Sequence, residues 1–353
     1  MIRDIEAKQA KELVLDDLKM PIQEVGAFEK QADAKEHEDK SRLQLKKERK
    51  LQRALAKEDI GGALIETPLE AQTALPVERV WPTGFKELDS ALGGGLREGL
   101  FIIDAVPSQA KTAFALQIAD NLAKQGRSAA YFSLENYEYE LNAKSLSRAT
   151  FMLSLKDSED AGLAKTAEEL LNGYGLFEEK ETEFYHRAAR DYASYAGHLY
   201  IYECHGDFGI PQLKSAMKEH SLEHGAAPAA IIDNLQGMVS PSGEAGREKN
   251  EKLAIELSQM AKDNKIPIIA VISGLGDDVL RCDALVRIRI LEEALPRWGE
   301  ALPGRGEANG KGLGSRLMEI EVVRKRSGID GSRVILHFYQ DYNCFGVREP
   351  EMV

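Results

Sequence analysis

Lys111 and Thr112 close the stretch "AVPSQAKTA" (residues 105–113), putting a cation and a hydroxyl side by side after a short loop. That pair suits a phosphate: the ammonium neutralises its charge, and the hydroxyl holds a phosphate-bound Mg2+. The loop that does this chemistry reads G-x-x-x-x-G-K-[ST], and here Ala105 and Ala110 stand at the two glycine positions. Ala105, Pro107, Ser108, Gln109, Ala110, Lys111 and Thr112 are therefore the candidate phosphate cradle. Two carboxylates accompany it. Asp233 ends "AAIID" and Glu135 ends "YFSLE". At the C-terminal end of a buried strand, a carboxylate can orient a metal and its waters. This makes Asp233, with Thr112, the candidate metal residue, and Glu135 the candidate base that activates water. Each also has a plainer meaning alone, since an Asp often just caps a strand end.

A phosphate loop works only between a buried strand and a helix whose N-terminus faces the anion. The sequence supplies both. "GLFIIDAV" (99–106) is an apolar run expected to be a buried parallel strand. "TAFALQIADNLAKQG" reads as a helix with Phe114, Leu116, Ile118 and Leu122 on one face. Further strands are expected at 128–136, 198–204, 228–238 and 266–273, with helices at 210–225 and 248–265 between them. A charged, mostly helical stretch covers 137–195. Residues 284–291, 317–326 and 332–340 alternate like strands near an edge. This interleaving predicts an α/β fold, a doubly wound and mostly parallel sheet with helices on both faces.

The chain has 353 residues and a net charge of −12, which excludes a protein that coats nucleic acid indiscriminately but not one with a locally basic groove. No apolar run approaches the roughly 20 residues that span a bilayer. The N-terminus is charged from Arg3 onward, without a signal core. Cys204, Cys282 and Cys344 are far apart, which suggests neither zinc nor disulfides. A cytoplasmic location is expected. Residues 1–60 read as a charged helical extension, 61–80 as a linker and 81–353 as the main domain. Arg42, Lys46, Lys47, Arg49, Lys50 and Arg53 form a basic cluster. It reads first as a solvated helix face, with nucleic-acid contact or subunit docking as alternatives.

Four segments, taken in order, are more specific than any one motif. "TGFKELDSALGGGLREGLFIIDAVPSQAKTAFALQIA", "YFSLEN", "IIDNLQGM" and "VVRKRSGIDGSRVILHF" together resemble the ATPase domain of DnaB-type replicative helicases, over roughly residues 80–348. The resemblance implies a RecA-like core, ATP and Mg2+ as ligands, single-stranded DNA as partner, and a ring, expected to be a hexamer, that a loader or primase joins. It assigns Glu135 as catalytic glutamate, Asp233 as metal-orienting aspartate, Gln236 as part of the nucleotide site, and Arg324 and Arg326 as basic fingers reaching the nucleotide of an adjacent subunit. Ala is common in that family at the position of Ala105. Ala110 is a departure, although its methyl is expected to crowd the phosphate without straining the helix start. The loop after residue 273 is shorter than the family's, and residues 1–60 do not read as its globular N-terminal domain.

DNA contact is expected from two loops, 239–252 with Arg247, Lys249 and Lys252, and 296–316 with Arg297, Arg305, Lys311 and Arg316. Basic, glycine-containing loops can follow a phosphate backbone without reading sequence. Two functional readings stay open. One is an ATP-driven DnaB-like helicase or translocase in DNA replication. The other is a RecA-fold nucleotide-binding assembly, loader or regulatory protein with weak or no turnover.

Overall fold

In a computed structural model of the protein, the described residues are 80–106, 110–160, 162–173, 177–240, 243–275, 280–294, 315–326 and 328–346. The expected extension 1–60 and nearly all of the linker lie outside them. In chain order the helices are α1 (Lys86–Ala91), α2 (Lys111–Lys124), α3 (Glu138–Ser154), α4 (Ala167–Asn172), α5 (Glu179–Ala196), α6 (Ile210–His224) and α7 (Gly246–Asn264). The strands are β1 (Gly99–Ala105), β2 (Ala129–Ser133), β3 (Leu199–Glu203), β4 (Ala229–Asp233), β5 (Pro267–Ser273), β6 (Ala284–Ala294), β7 (Arg316–Lys325), β8 (Gly328–Tyr339) and β9 (Cys344–Gly346).

All nine form one sheet in the order β3-β2-β4-β5-β1-β6-β7-β8-β9. The strands from β3 to β6 pair in parallel, and β6 to β9 pair antiparallel. The apolar runs have a direct cause. Successive side chains of a strand point to opposite faces, and here both faces are covered. Phe101, Ile103 and Ala105 of β1 pack in the cluster that includes Phe114, Leu116 and Ile118 of α2. Leu100 and Ile102 pack on the other side with Leu213 of α6 and Leu253 and Leu257 of α7.

Beyond β6 one face is left to water, and the alternation follows. Ile288, Ile320, Val322 and Leu336 join the core, while Arg289, Glu319, Glu321 and Arg333 form a cross-strand charge network on the other face. The 284–291 segment is therefore not near an edge. β6 lies between β1 and β7, and β3 and β9 are the outer strands.

Candidate active site

Four neighbouring strands, β2, β4, β5 and β1, end close together. Ser133 is in register with Asp233 and Ala105 with Ser273, and because Ile232 pairs with Ala270, β2 and β4 stop about two residues short of β5 and β1. In a parallel sheet this C-terminal edge is where ligands collect. Pro107, Ser108 and Gln109, between β1 and α2, fall outside the described residues. Ala105, the last residue of β1, is buried. α2 starts at Lys111 with no side chain capping its N-terminus, which leaves backbone N–H donors and the positive end of the helix dipole facing the cleft.

Ala110 corrects an expectation. It has φ 55° and ψ 18°, in the left-handed region, where it precedes the first helical residue. It is not in the helical conformation that would have made it strain-free. For an L-residue with a Cβ this region costs roughly 1–2 kcal/mol, so glycine is the natural occupant for backbone reasons as well as for space.

Lys111 and Thr112, the first two residues of α2, face different partners. The Lys111 ammonium donates to Ser273 Oγ at the end of β5. The Thr112 hydroxyl is hydrogen-bonded to Asp233. Asp233, only 2% exposed, also accepts the Tyr131 hydroxyl at 2.7 Å. Burial pushes its carboxyl above the usual carboxylate range, against the lowering pull of these two hydroxyls. Burial, with Asp233 beside it, likewise raises the Tyr131 phenol well above its ordinary value. Tyr131 therefore acts here as a donor.

Glu135 lies two residues past the end of β2, which stops at Ser133 rather than continuing to 136. It is exposed, and the Asn234 side-chain amide donates to its Oε1. Lys144, on α3, donates to Asn136 Oδ1 at 2.9 Å. Its ammonium is pulled down from the ordinary lysine value by burial. Gln236, in the short 3-10 turn Leu235–Gly237, makes a two-way bond with β5: its Nε2 donates to Ser273 O at 3.0 Å, and Ser273 N donates to its Oε1 at 3.1 Å.

Sequence reasoning misses Tyr131, Asn234, Lys144 and Ser273. Asn234 is visible only as the neighbour of Asp233. Tyr131 sits in an apolar run, and Lys144 in a charged helix, where neither carries a signal.

Arg324 and Arg326 lie elsewhere. β7 runs antiparallel to β6, which is parallel to β1, and Arg324 is in register with Leu285 at the start of β6. Arg326 Nε donates to Asp283 Oδ1 at 2.7 Å, and its guanidinium reaches Glu98 O, just before β1. The loop of Lys111 follows the other end of that seven-residue strand, about 20 Å away at ~3.3 Å per residue. Neither arginine lies near Lys111 or Thr112 of the same chain.

The candidate DNA residues divide. Arg247, Lys249 and Lys252 lie in the first two turns of α7, not on a loop. Arg247 pairs with Glu251 at 2.9 Å, Lys249 donates to Gln236 O at 2.8 Å, and Lys252 pairs with Glu244 and, at 3.6 Å, with Glu248. Arg316 begins β7. Arg297, Arg305 and Lys311 fall outside the described residues. Among the described residues no cluster of three or more His, Cys, Asp or Glu side chains could hold a metal. None of the described helices is long and apolar enough to cross a membrane.

Comparison with known proteins points the same way. The family model of the DnaB-like helicase C-terminal domain matches residues 81–276, more than half of the chain. The replicative DNA helicase DnaB of Helicobacter pylori is 28% identical over 195 residues, 54% of this chain and 36% of that protein. DnaB of Geobacillus stearothermophilus is 27% identical over 274 residues, 75% of this chain and 56% of that protein. The chain thus spans about a third to just over half the length of these relatives. A solved structure of a DnaB-like replicative helicase superposes with a TM-score of 0.58 at 18% identity, covering 84% of this chain and 70% of that one. A solved ATPase domain superposes with the same TM-score of 0.58 at 20% identity, covering 79% of this chain and 95% of that one. These likenesses show a shared RecA-like fold. Given this fold, the strand-end cleft and the match over residues 81–276, the chain belongs to the DnaB-like helicase C-terminal domain family.

Proposed function

We propose that the protein is an ATP-dependent DnaB-like helicase or translocase that acts on single-stranded DNA as a ring. The observation that carries this reading is the meeting of Lys111, Thr112, Asp233 and Glu135 at one sheet edge while Arg324 and Arg326 stand at the opposite edge. Such a molecule is complete only when one copy's fingers meet another copy's phosphate site, as in a head-to-tail ring.

The residues present fit a magnesium-bound nucleoside triphosphate. Mg2+ in such sites keeps several waters and is held by one or two carboxylates plus substrate phosphates, without an all-protein cage. The Thr112 hydroxyl and the Asp233 carboxylate, already bonded to each other, are a donor set of that kind. Held by Thr112 and Asp233, the metal would supply positive charge that offsets the charge developing on the phosphates.

The chain's own groups do the rest. Lys111 and the uncapped start of α2 bind the phosphates. Tyr131 holds Asp233 in place from below. Asn234 orients the Glu135 carboxylate, which accepts a proton from the attacking water. Gln236, bonded to Ser273 and followed through its carbonyl by Lys249, ties the nucleotide edge to the start of α7. A change at the phosphate can therefore move the basic residues proposed to meet DNA.

The second reading, an assembly that binds nucleotide with little turnover, is favoured by one observation, the strained alanine at residue 110. Steady-state ATP hydrolysis with and without single-stranded DNA separates the two. We expect turnover that DNA stimulates and that Lys111→Ala abolishes. Nucleotide binding with no turnover under either condition would establish the second reading.

A further inference from the structure

Arg326 is not a free surface cation. Its Nε donates to Asp283 Oδ1 at 2.7 Å, and its Nη2 donates to Glu98 O. Asp283 is in turn fastened to β1 twice: its Oδ2 accepts Leu100 N–H at 2.9 Å, and its backbone N donates to Leu100 O at 2.8 Å. The carboxylate can come this close because residue 99 is glycine. Gly99 has φ +145°, and a Cβ there would collide with the Asp283 carboxylate and stand 3.0 Å from Arg326 Nη2. The next basic residue points elsewhere, with Lys325 Nζ 2.5 Å from Asp330 Oδ2. Arg324 makes no ion pair with a described residue. Of the three basic side chains at and just after the end of β7, Arg326 is thus the one anchored to the central strand.

We propose that Asp283 is the positioning residue for Arg326, holding its guanidinium at the start of β1 so that the neighbouring copy's phosphate meets it already placed. This rests on the reading that Arg326 acts on another subunit's nucleotide. The anchoring contacts use Nε and Nη2, and Nη1 makes no hydrogen bond to a described residue. A charged group fixed before it is needed stabilises developing charge without reorganising at the moment of reaction. A flexible arginine would have to be ordered in each cycle, and small misplacements of such groups are expensive in rate. Asp283 would accordingly affect kcat rather than ATP binding, since it touches neither Lys111 nor Thr112. Gly99 has a defined part as the residue whose missing side chain admits the carboxylate.

The test is a double-mutant comparison on the full chain with single-stranded DNA present. It measures kcat and KM for ATP, oligomer size by light scattering, and solvent exchange of the Arg326 Nε–H by NMR. Asp283→Asn should lower kcat roughly 10- to 100-fold with KM and oligomer size unchanged, and should speed that exchange. Gly99→Ala should show the same pattern. Adding Asp283→Asn to Arg326→Ala should cost nothing further, because the residue acts only through the arginine. If Asp283→Asn fails to fold, Asp283→Glu, which keeps the charge but moves it by one methylene, carries the comparison. An unchanged kcat in Asp283→Asn, or a loss that adds to that of Arg326→Ala, overturns the proposal alone. Turnover that Arg326→Ala leaves intact, or no turnover in the natural protein, overturns the reading beneath it and the proposal with it.

Discussion

At residue 110 a single backbone angle sets the character of the proposed phosphate site. Ala110 keeps its N–H and the neighbouring Lys111 and Thr112, but it holds φ 55°, where glycine rests without strain. Ala110→Gly should therefore raise the unfolding free energy of the free protein by about 1 kcal/mol, and should tighten ATP·Mg2+ binding by removing the methyl from the phosphate. Chemical denaturation and calorimetry measure the two effects separately; a variant no more stable and no tighter would contradict the strain argument. Glu135 makes the complementary case. It lies at the cleft mouth and touches neither Lys111 nor Thr112. Glu135→Gln should bind ATP as the natural protein does while hydrolysing it roughly 100- to 10,000-fold more slowly. Equilibrium binding alongside a turnover assay decides this, and lost affinity in a folded variant would reassign the residue.

At the scale of elements, the strands are legible because burial on both faces writes an apolar run, as in β1, β4 and β5, and because β1 is followed by an amphipathic α2. Register and direction are not legible. That β6 inserts beside β1, and that β7 returns Arg324 to the far edge, depends on long-range pairing that no local pattern encodes. The candidate site is legible where polar side chains stand at element ends, Lys111 and Thr112 at the start of α2 and Asp233 at the end of β4. It is illegible where a core strand lends one hydroxyl, as with Tyr131. The contact between β3 and α6 supplies a pH prediction. His220 is 2% exposed, lies against Tyr200 and His224, and has its Nδ1 3.1 Å from the Tyr202 hydroxyl. Burial, then repulsion from His224, lowers its pKa from 6.5 to about 4. The unfolded chain takes up the proton first, so stability is full above pH 6.5 and is lost as pH falls toward about 4, with a slope of at most ~1.4 kcal/mol per pH unit from this group. Urea midpoints across that window should fall more steeply for the natural protein than for His220→Gln. Parallel curves would mean the ring is not held neutral by its surroundings.

At the scale of the whole molecule, the proposed phosphate site and the proposed fingers sit at opposite ends of the sheet's parallel strands, so no single copy brings them together. Assembly should therefore depend on nucleotide, with light scattering showing a ring-sized species in ATP analogue and Mg2+. A monomer under all such conditions would leave Arg324 and Arg326 without a target. The central claim, that each nucleotide site is completed by a second copy, is tested most directly by mixing two inactive variants. Lys111→Ala lacks the phosphate lysine but keeps the fingers, and Arg326→Ala keeps the lysine but lacks a finger. Each alone should be nearly inactive, because loss of a finger of this type costs on the order of 1,000-fold or more. Mixed, they place intact fingers beside intact sites at some interfaces, and DNA-stimulated ATP hydrolysis should return to a substantial fraction of the natural rate. Mixed rings that form but hydrolyse no faster than either variant alone would contradict the account.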